Sequence, residues 1–466
     1  MSDRRVRDAI IPRELRAWRA WGVARRMERG VRDPHFRELV QRIDGGPLHL
    51  CPKVTLLPDG EEAFARMRDA IESAREEVLL ETYILRDDQL GQSVRQALIA
   101  AAGRGLRVCV LADAVGSMST ADGFWRSLEQ GGAQVRLFHR VWLHPLEALR
   151  RDHRKLLVVD RRLGFTGGMN IGEEYGSSVV RRRHVGREGW RDAWRDTFIA
   201  LGGTVVRELA AVFAEGWDRA GGPDLPGLEY VSWADGVVQP PRGWRGTMTP
   251  RAWQSRWQLQ RGHHRDRVRG RRVRRDVPTV TADAPAVIVM DPRPGRGQRE
   301  MLTVLSALTG AARQRLWITT PYFAPPTRAL ELLAAAARRG VDVRLLLPGV
   351  RTDVPLVRHA AHGAYHKLLS TGVRIFEYDR ATLHAKTLVV DSHVGVVGSS
   401  NLDFRSFWLN AECNVLIFDD TFAQELDASF QDDLEGSTEI TLEQWRRRTL
   451  THRILDRIAR GLRWAL

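Results

Sequence analysis

The chain has 466 residues, of which 28% are charged and 43% hydrophobic, a composition typical of a globular protein with two or three domains. Its net charge of +15 and its pI near 10.6 predict an anionic partner, either nucleic acid or an acidic membrane surface. Three widely spaced cysteines indicate neither a disulfide framework nor a metal knuckle. No run is apolar enough to predict a signal peptide or a membrane span, so we expect a protein that is soluble or lies on a membrane.

Residues 1–48 form a basic N-terminal segment in which Leu15, Trp18 and Trp21 alternate with arginines. This pattern predicts an amphipathic helix. The helix either lies in a membrane interface or packs on the first domain with its arginines in solvent.

From residue 49 the hydrophobic pattern predicts alternating strands and helices, with strands at 78–85, 106–112, 134–138 and 156–159. The same order of elements returns from residue 284, and similar segments are offset by 231 to 235 residues, as Gly105 and Gly340 or His153 and His384 illustrate. A duplicated α/β unit is the simplest interpretation, with domains at 49–221 and 284–436.

An 18-residue motif occurs twice, at 153–170 and 384–401. The copies read HRKLLVVDRRLGFTGGMN and HAKTLVVDSHVGVVGSSN, with no insertion or deletion between them. They share His153, Lys155, Asp160 and Asn170 in the first copy and His384, Lys386, Asp391 and Asn401 in the second. Of the 72 Lys and Arg residues only four are Lys, and two of these four lie in the motif. Lysine offers phosphate a compact point charge where arginine offers a planar fork.

The motif residues suit chemistry at phosphorus. Histidine and lysine two residues apart on a strand face the same side. One imidazole can attack phosphorus while the other protonates the leaving oxygen, and each needs a carboxylate that fixes its tautomer. The lysines and asparagines offer donors to phosphate oxygens. Lysine is not a usual metal ligand, so we expect neither a metal nor a cofactor.

The motif aspartates, Asp160 and Asp391, follow the histidines at an odd spacing and lie in a predicted turn. We therefore expect a structural role for them first, although as motif residues they are grouped with the catalytic set.

The doubled HxK(x)4D motif, followed by a glycine-rich turn and Asn, resembles the phospholipase D superfamily over residues 49–436. The segments FTGGMNIGEEY, WRDTF and VGSSNLDFRSFWLNAECNV are similar to those of bacterial cardiolipin synthases, here in a short form without N-terminal transmembrane helices. The resemblance implies two tandem α/β domains, each a mixed sheet flanked by helices. It also implies pseudo-twofold symmetry, with the active site at the domain interface.

The resemblance further implies transfer of a phosphatidyl group between two phosphatidylglycerol molecules, through a phosphohistidine intermediate, with release of glycerol. By analogy His153 is the nucleophile and His384 the general acid and base, although the near symmetry allows the roles to be exchanged. Asp196 is expected to orient His153, and Glu412 to orient His384. Either acidic residue can instead serve only the fold.

Two basic regions have a less specific interpretation. Residues 222–283 are rich in Arg, Trp, Gly and Pro, which predicts either a surface for lipid headgroups or bases, or a poorly ordered linker. Residues 437–466 predict a basic amphipathic helix that lies on a membrane or docks on the body. The basic insertion at 177–188 has no counterpart in the family pattern.

Three functions remain open from the sequence. A cardiolipin synthase would sit peripherally on the cytoplasmic face of the bacterial membrane, bind anionic phospholipid and ignore nucleic acid. A phospholipase D would hydrolyse the same intermediate to phosphatidic acid. A metal-independent nuclease would use the positive charge to bind DNA or RNA.

Overall fold

The computed structural model describes residues 13–44, 46–138, 150–176, 194–228, 284–292 and 298–449. The insertion at 177–188, residues 229–283 of the predicted linker and residues 450–466 lie outside this part of the chain. The predictions made for them stay predictions.

Two mixed sheets form the frame of the molecule. The strands are β1 (His49–Leu50), β2 (Val54–Leu57), β3 (Glu77–Thr82), β4 (Arg107–Asp113), β5 (Gln134–Phe138), β6 (Leu156–Val159), β7 (Leu163–Gly167), β8 (Trp194–Arg195), β9 (Phe198–Gly202), β10 (Ala286–Met290), β11 (Arg315–Thr319), β12 (Asp342–Pro348), β13 (Arg374–Tyr378), β14 (Thr382–Leu383), β15 (Thr387–Val390), β16 (Val394–Gly398), β17 (Asn414–Phe418) and β18 (Ser437–Ile440). The seven-stranded sheet has the order β2-β9-β7-β6-β3-β4-β5. The nine-stranded sheet has the order β1-β10-β17-β16-β15-β11-β12-β13-β18. Apart from the added edge strands β1 and β18, the two orders are equivalent, which agrees with the predicted duplication.

Helices cover both faces of each sheet. They are α1 (Arg13–Arg25), α2 (Pro34–Asp44), α3 (Gly60–Ser73), α4 (Gln89–Gly103), α5 (Asp122–Gln130), α6 (Val205–Arg219), α7 (Gln298–Ala311), α8 (Thr327–Arg338), α9 (Pro355–Leu369), α10 (Phe404–Trp408), α11 (Asp420–Leu434) and α12 (Leu442–Arg446). Short 3-10 turns lie at Gly30–Arg32 and Glu173–Tyr175.

Three hydrophobic regions hold these layers together. One lies between the first sheet and helices α3 to α5, and another between the second sheet and helices α1, α2 and α7 to α9. The third is shared by the two halves, because α6 and α11 pack between the inner faces of both sheets, as Phe213 and Phe430 illustrate. Strands such as β3, β10 and β17 are therefore buried along their whole length. The three cysteines are free thiols in this buried interior.

The N-terminal helix α1 is docked on the protein. Ala17, Ala20 and Ala24 are buried, and a Cβ placed on Gly310 of α7 would lie 2.6 Å from the carbonyl oxygen of Trp21. This close approach supports the docked interpretation, but the partner is a helix of the second half, so the expectation of packing on the first domain was wrong. The C-terminal α12 is also docked, since the Trp445 ring lies 4.7 Å from that of Tyr365. Within the described ranges no helix is long and apolar enough to cross a membrane.

Candidate active site

Each histidine of the repeated motif precedes a central strand of its sheet. β6 and β15 start three residues after His153 and His384, and each returns as a hairpin through β7 and β16. Both histidines lie at the edge of the sheet where the parallel strands β3 and β4, or β11 and β12, have their carboxyl ends. Ligand sites in α/β proteins prefer this edge.

The motif aspartates lie at the other end of these strands, about 16 Å from the lysines, because they follow the lysines by five residues and a strand advances about 3.3 Å per residue. Asp160 accepts hydrogen bonds from the backbone N–H groups of residues 75–77 at 2.7 to 2.9 Å. Asp391 does the same for residues 313–315 at 2.8 to 3.0 Å. Both have positive φ, 52° and 50°, at the start of the hairpin turn. The grouping of Asp160 and Asp391 with the catalytic residues was therefore wrong. Both bind backbone N–H groups at the turn, which is the structural role expected first.

Backbone pairing between the two halves positions the histidines. A parallel bridge joins Asp152 to Ala411, and the N–H of His153 donates to the carbonyl of Ala411 at 2.9 Å. In the second motif β14 pairs with β8, and the N–H of His384 donates to the carbonyl of Arg195 at 2.8 Å. Each histidine is therefore fixed by a segment of the opposite half.

The same pairing between the two halves also positions the carboxylates that contact the histidines. Nδ1 of His153 lies 2.9 Å from Oε2 of Glu412, and Nδ1 of His384 lies 2.6 Å from Oδ2 of Asp196. The predicted pairing, Asp196 with His153 and Glu412 with His384, was wrong. Asp196 follows β8, which pairs with β14 just before His384. Glu412 follows Ala411, which forms the bridge to Asp152 just before His153. Each acid therefore lies beside the histidine of the other half.

Glu412 is the more completely hydrogen-bonded of the two acids. Besides His153, it accepts hydrogen bonds from Ser399 Oγ at 2.5 Å, Ser406 Oγ at 2.7 Å and Asn410 Nδ2 at 3.3 Å. Burial raises the pKa of Glu412, but His153, Lys155 and the hydrogen bond from Ser399 act together against burial and leave the pKa below its usual value. Burial dominates at Asp196 and raises its pKa to about 6.

The two lysines share one electrostatic environment. Lys155 Nζ donates to the carbonyl of His153 at 2.7 Å, and Lys386 Nζ lies 2.9 Å from Nδ1 of His384. Burial lowers the pKa of Lys155 to about 7 and that of Lys386 to about 8, and the charge of Lys386 is a further cause of the lowered pKa of Lys155. The two motifs therefore contribute to a single site, with a cation from each half.

Both imidazoles are disposed to be neutral in the unliganded site. Burial is the first cause that lowers the pKa of His153, against the opposing charge of Glu412. Burial also puts the pKa of His384 well below its usual value, and the charges of Lys386, Lys155 and His153 lower it further. Because the Glu412 carboxylate only accepts hydrogen bonds, Nδ1 of His153 carries the hydrogen. Nδ1 of His384 faces both Asp196 and Lys386, and the shorter contact, 2.6 Å to the carboxylate, favours a hydrogen on Nδ1, while Lys386 donates to the backbone carbonyl of His384. In both imidazoles the unprotonated Nε2 is then left for substrate.

Aromatic rings form the walls of the site. The Tyr83 ring lies 5.0 Å from that of His153, and the rings of Trp194 and Tyr175 lie 5.1 and 5.5 Å from that of His384. Lys155 Nζ lies 5.4 Å from the centre of the Tyr83 ring. These rings limit the rotation of the imidazoles and the access of water to them.

The two asparagines have different surroundings. The Asn170 side chain accepts from the N–H of Ile84 at 3.2 Å and donates to the hydroxyl of Tyr175 at 2.8 Å. Asn401 donates its backbone N–H to Ser406 Oγ at 3.0 Å, and its buried Oδ1 has no hydrogen-bond partner among the residues that the structure describes. Phosphate contact by these residues stays a prediction.

Sequence reasoning missed two buried arginines, Arg154 inside the first motif and Arg195 next to Asp196. Arg154 forms ion pairs with Glu215 at 2.8 Å and Asp291 at 2.6 Å, which join the first motif to α6 and to the end of β10. Arg195 binds Asp433 at 2.9 Å and Ser429 at 2.7 Å on α11. The only signal for them was their position next to a predicted site residue. Within the described ranges no group of three or more His, Cys, Asp or Glu residues is placed to hold a metal ion.

The chain is similar in sequence to known proteins of one family. Residues 67–177 and 305–434 match the family described as cardiolipin synthase, PLD-like domain. A cardiolipin synthase of Halalkalibacterium halodurans is 31% identical over 434 residues, which cover 91% of this chain and 74% of that relative. Cardiolipin synthase 1 of Bacillus anthracis is 30% identical over 452 residues, 96% of this chain and 79% of that relative.

The fold also matches a solved structure. The phosphatidylserine synthase of Haemophilus influenzae superimposes with a TM-score of 0.62 over 92% of this chain and 97% of that chain, at 13% identity. At that identity the likeness concerns the fold alone. The predicted α/β fold with two phospholipase D-like domains is thereby confirmed. The chain belongs to the cardiolipin synthase family of phospholipase D-type phosphatidyltransferases.

Proposed function

We propose that this protein transfers the phosphatidyl group of one phosphatidylglycerol to a hydroxyl of a second, forming cardiolipin and glycerol. The observation that carries the proposal is the pair of imidazoles, each held through Nδ1 by a carboxylate of the other half and each accompanied by a lysine. This arrangement offers two free Nε2 atoms and two ammonium groups to a phosphodiester. Family membership supplies the lipid substrate.

In the first step Nε2 of His153 attacks the phosphorus of the donor lipid, and the bond from phosphorus to the glycerol oxygen breaks. The imidazolium of His384 donates its proton to that oxygen, so glycerol leaves neutral. Lys155 and Lys386 stabilise the charge that builds on the non-bridging oxygens. The negative charge of the bound phosphate also raises the pKa of His384, which provides the proton needed at this point.

In the second step the imidazole of His384 takes a proton from the acceptor hydroxyl, whose oxygen attacks the phosphohistidine. The P–N bond breaks, cardiolipin forms and His153 returns to its starting state. Only 7% of His153 and 3% of His384 are exposed, which favours a lipid acceptor over bulk water.

The assignment of His153 as nucleophile is supported by its carboxylate. Glu412 keeps a low pKa and four hydrogen-bond donors, so it stays ionised and holds the proton of His153 on Nδ1. Asp196, with a pKa raised to about 6, is a weaker orienting group. His384 is then the more suitable residue to gain and lose a proton.

We also propose that the protein lies on the membrane through two loops at the mouth of the site. These mouth loops are residues 114–121 after β4 and 349–356 after β12, and the second loop includes the first two residues of α9. They contain two charged residues in sixteen, in a chain that is 28% charged, and they expose 78% of Met118, 73% of Val350 and 42% of Leu356. Apolar side chains of this kind enter the acyl boundary of a bilayer at little desolvation cost.

The mouth loops are tied to the site. Ser117 Oγ donates to the carbonyl of Tyr83 at 3.2 Å, and the Tyr322 hydroxyl donates to Asp353. The rings of Tyr83 and Tyr322 in turn face His153 and His384 at 5.0 and 6.3 Å. When the mouth loops insert into a bilayer, the lipid phosphates therefore lie beside the two histidines. The proposed place of the protein is the cytoplasmic face of the membrane.

Product analysis tests the proposal. Purified enzyme given vesicles of phosphatidylglycerol, with a chelator present, should form equal amounts of cardiolipin and glycerol. Phosphatidic acid as the main product would indicate a phospholipase D. Cleavage of DNA or RNA without lipid turnover would indicate the nuclease considered from the charge of the chain.

A further inference from the structure

Arg151 lies two residues before the first catalytic histidine, and in the part of the chain that the structure describes its Nη1 has no hydrogen-bond partner. It makes no side-chain hydrogen bond or ion pair within the described residues, and its Nη1 is buried. Other described arginines with an unpaired buried nitrogen leave only Nε unpaired. The charged end of Arg151 differs from theirs, since an unpaired terminal amino group is free to bind a ligand.

The backbone fixes the direction of this side chain. The carbonyl of Arg151 accepts from the N–H of Ala411 at 2.8 Å, and the next residue forms the bridge to Ala411. Side chains alternate along extended chain, so Arg151, His153 and Lys155 share one side. The intervening Arg154 points to the other side, where it binds Glu215 and Asp291.

The neighbours of Arg151 place it at the site. Burial is the main cause that raises the pKa of Tyr83, and the charge of Arg151 opposes it, so the guanidinium lies near the ring that contacts His153. The charge of Arg151 also acts on Asp113. The oxygens of Asp113, however, accept hydrogen bonds from the N–H groups of Val115, Gly116 and Asp152 and form none with Arg151.

The second motif has no equivalent cation. Thr382 stands two residues before His384, where the first motif has Arg151. The site therefore has symmetric groups for one phosphate, a histidine and a lysine from each half. Additional cations among the described residues lie only on the His153 side, where the charges of Arg151 and Arg405 both act on Tyr83. A transfer between two phospholipids has the same asymmetry, because one phosphate reacts and the other does not.

We propose that Arg151 forms a second anion site, which binds the unreacting phosphate of the acceptor phospholipid. The inference rests on the proposed function. Two residues of extended chain separate Arg151 from His153, about 7 Å, a distance comparable to the three-carbon bridge between the acceptor phosphate and its attacking hydroxyl. Arginine suits this contact because its planar fork binds two phosphate oxygens at once. Water and free glycerol carry no phosphate, so the site favours a phospholipid acceptor over them.

The experiment compares two acceptors for one intermediate. Phosphatidylglycerol vesicles are mixed with labelled free glycerol. Transfer to a second phosphatidylglycerol, which carries a phosphate, gives cardiolipin. Transfer to free glycerol, which carries none, gives labelled phosphatidylglycerol. Arg151→Gln should lower the ratio of cardiolipin to labelled phosphatidylglycerol by roughly 10- to 100-fold, the effect expected for loss of a charged hydrogen bond, while glycerol exchange persists. Arg151→Lys should retain part of the ratio.

Arg162→Gln is the matched control, because it removes one arginine charge from an exposed turn of the same motif and should leave the ratio unchanged. An unchanged ratio in Arg151→Gln would overturn the proposal, as would an equal loss of both products in Arg151→Gln and Arg151→Lys. A wild-type protein that exchanges glycerol but forms no cardiolipin would instead refute the proposed function.

Discussion

Nδ1 of His153 lies 2.9 Å from Oε2 of Glu412, although 259 residues separate them along the chain. The contact joins the first motif to the second half of the molecule, and the contact of His384 with Asp196 joins the second motif to the first half. Neither half contains a complete catalytic group by itself. The two halves must therefore assemble before either imidazole is oriented.

Replacing Glu412 by Gln should lower kcat by about 10²- to 10⁴-fold, because an amide does not stabilise the Nδ1 hydrogen and the cationic imidazole as a carboxylate does. KM should change little, since Glu412 does not contact the lipid in this account. Steady-state kinetics on phosphatidylglycerol micelles measure both constants. Glu61→Gln, on the exposed side of α3, is the control. A loss in Glu412→Gln no larger than in the control would contradict the assigned role.

Asp160→Asn and Asp391→Asn should affect stability and not chemistry. Each aspartate accepts hydrogen bonds from three backbone N–H groups. A hydrogen bond to a charged group contributes about 1.5–3 kcal/mol. We therefore expect each variant to lose about 1–3 kcal/mol in the free energy of unfolding. Urea unfolding measures this loss. The rate per folded molecule should stay near that of Asp69→Asn, an exposed control on α3. A collapse of kcat in a stably folded variant would restore these residues to the catalytic set.

Binding of an anion should be accompanied by proton uptake at pH 8. The pKa values of Lys155 and Lys386 are lowered to about 7 and about 8 in the empty site, so both lysines are partly neutral at that pH. A bound anion raises these pKa values, and a group whose pKa rises takes up protons at a pH above its original pKa. Titration calorimetry with inorganic sulfate, in two buffers of different protonation enthalpy, counts the protons.

Lys386→Met should reduce this proton uptake, and Lys367→Met, which removes an exposed lysine on α9, should not. Net proton release on binding of sulfate to the wild-type protein would mean that the site does not contain partly neutral lysines.

The double substitution Met118→Ser and Val350→Ser should weaken binding to phosphatidylglycerol vesicles, because it removes the most exposed apolar side chains of the mouth loops. Burial of a large apolar side chain stabilises binding by about 1.5–3 kcal/mol, so the vesicle affinity should fall roughly 10-fold or more. Flotation with vesicles measures it, and turnover of a short-chain soluble lipid should be retained. Val23→Ser, an exposed apolar residue on α1, is the control. Equal vesicle binding by all three proteins would place the membrane contact elsewhere.

Much of the fold could be predicted from the sequence because the repeat is strict. The histidine, lysine and asparagine positions recur without a gap, and the strands at 106–112, 134–138 and 156–159 agree closely with β4, β5 and β6. The predicted strand at 78–85 overran β3, which ends at Thr82, since the apolar pattern continues into the loop that carries Tyr83.

The pairing of acids with histidines could not be predicted in the same way. A motif indicates which residues lie together locally, whereas Asp196 and Glu412 reach their partners through β8 and through Ala411, which pair across the two halves. Such short pairings have no sequence signature. The docking of α1 on α7 was missed for a similar reason, because alanines in a basic helix do not indicate which glycine they face.

His153 and His384 act on one phosphodiester with different roles, one as nucleophile and the other as acid and base. A substrate whose leaving group needs no proton distinguishes these roles, because its first step does not require the acid. A lipid in which p-nitrophenol replaces glycerol should give His384→Ala a burst of about one p-nitrophenol per active site, with the phosphatidyl group trapped on His153, because attack proceeds without an acid while the second step lacks its base. His153→Ala should give no burst. A burst in His153→Ala, with the lipid trapped on His384, would contradict the account.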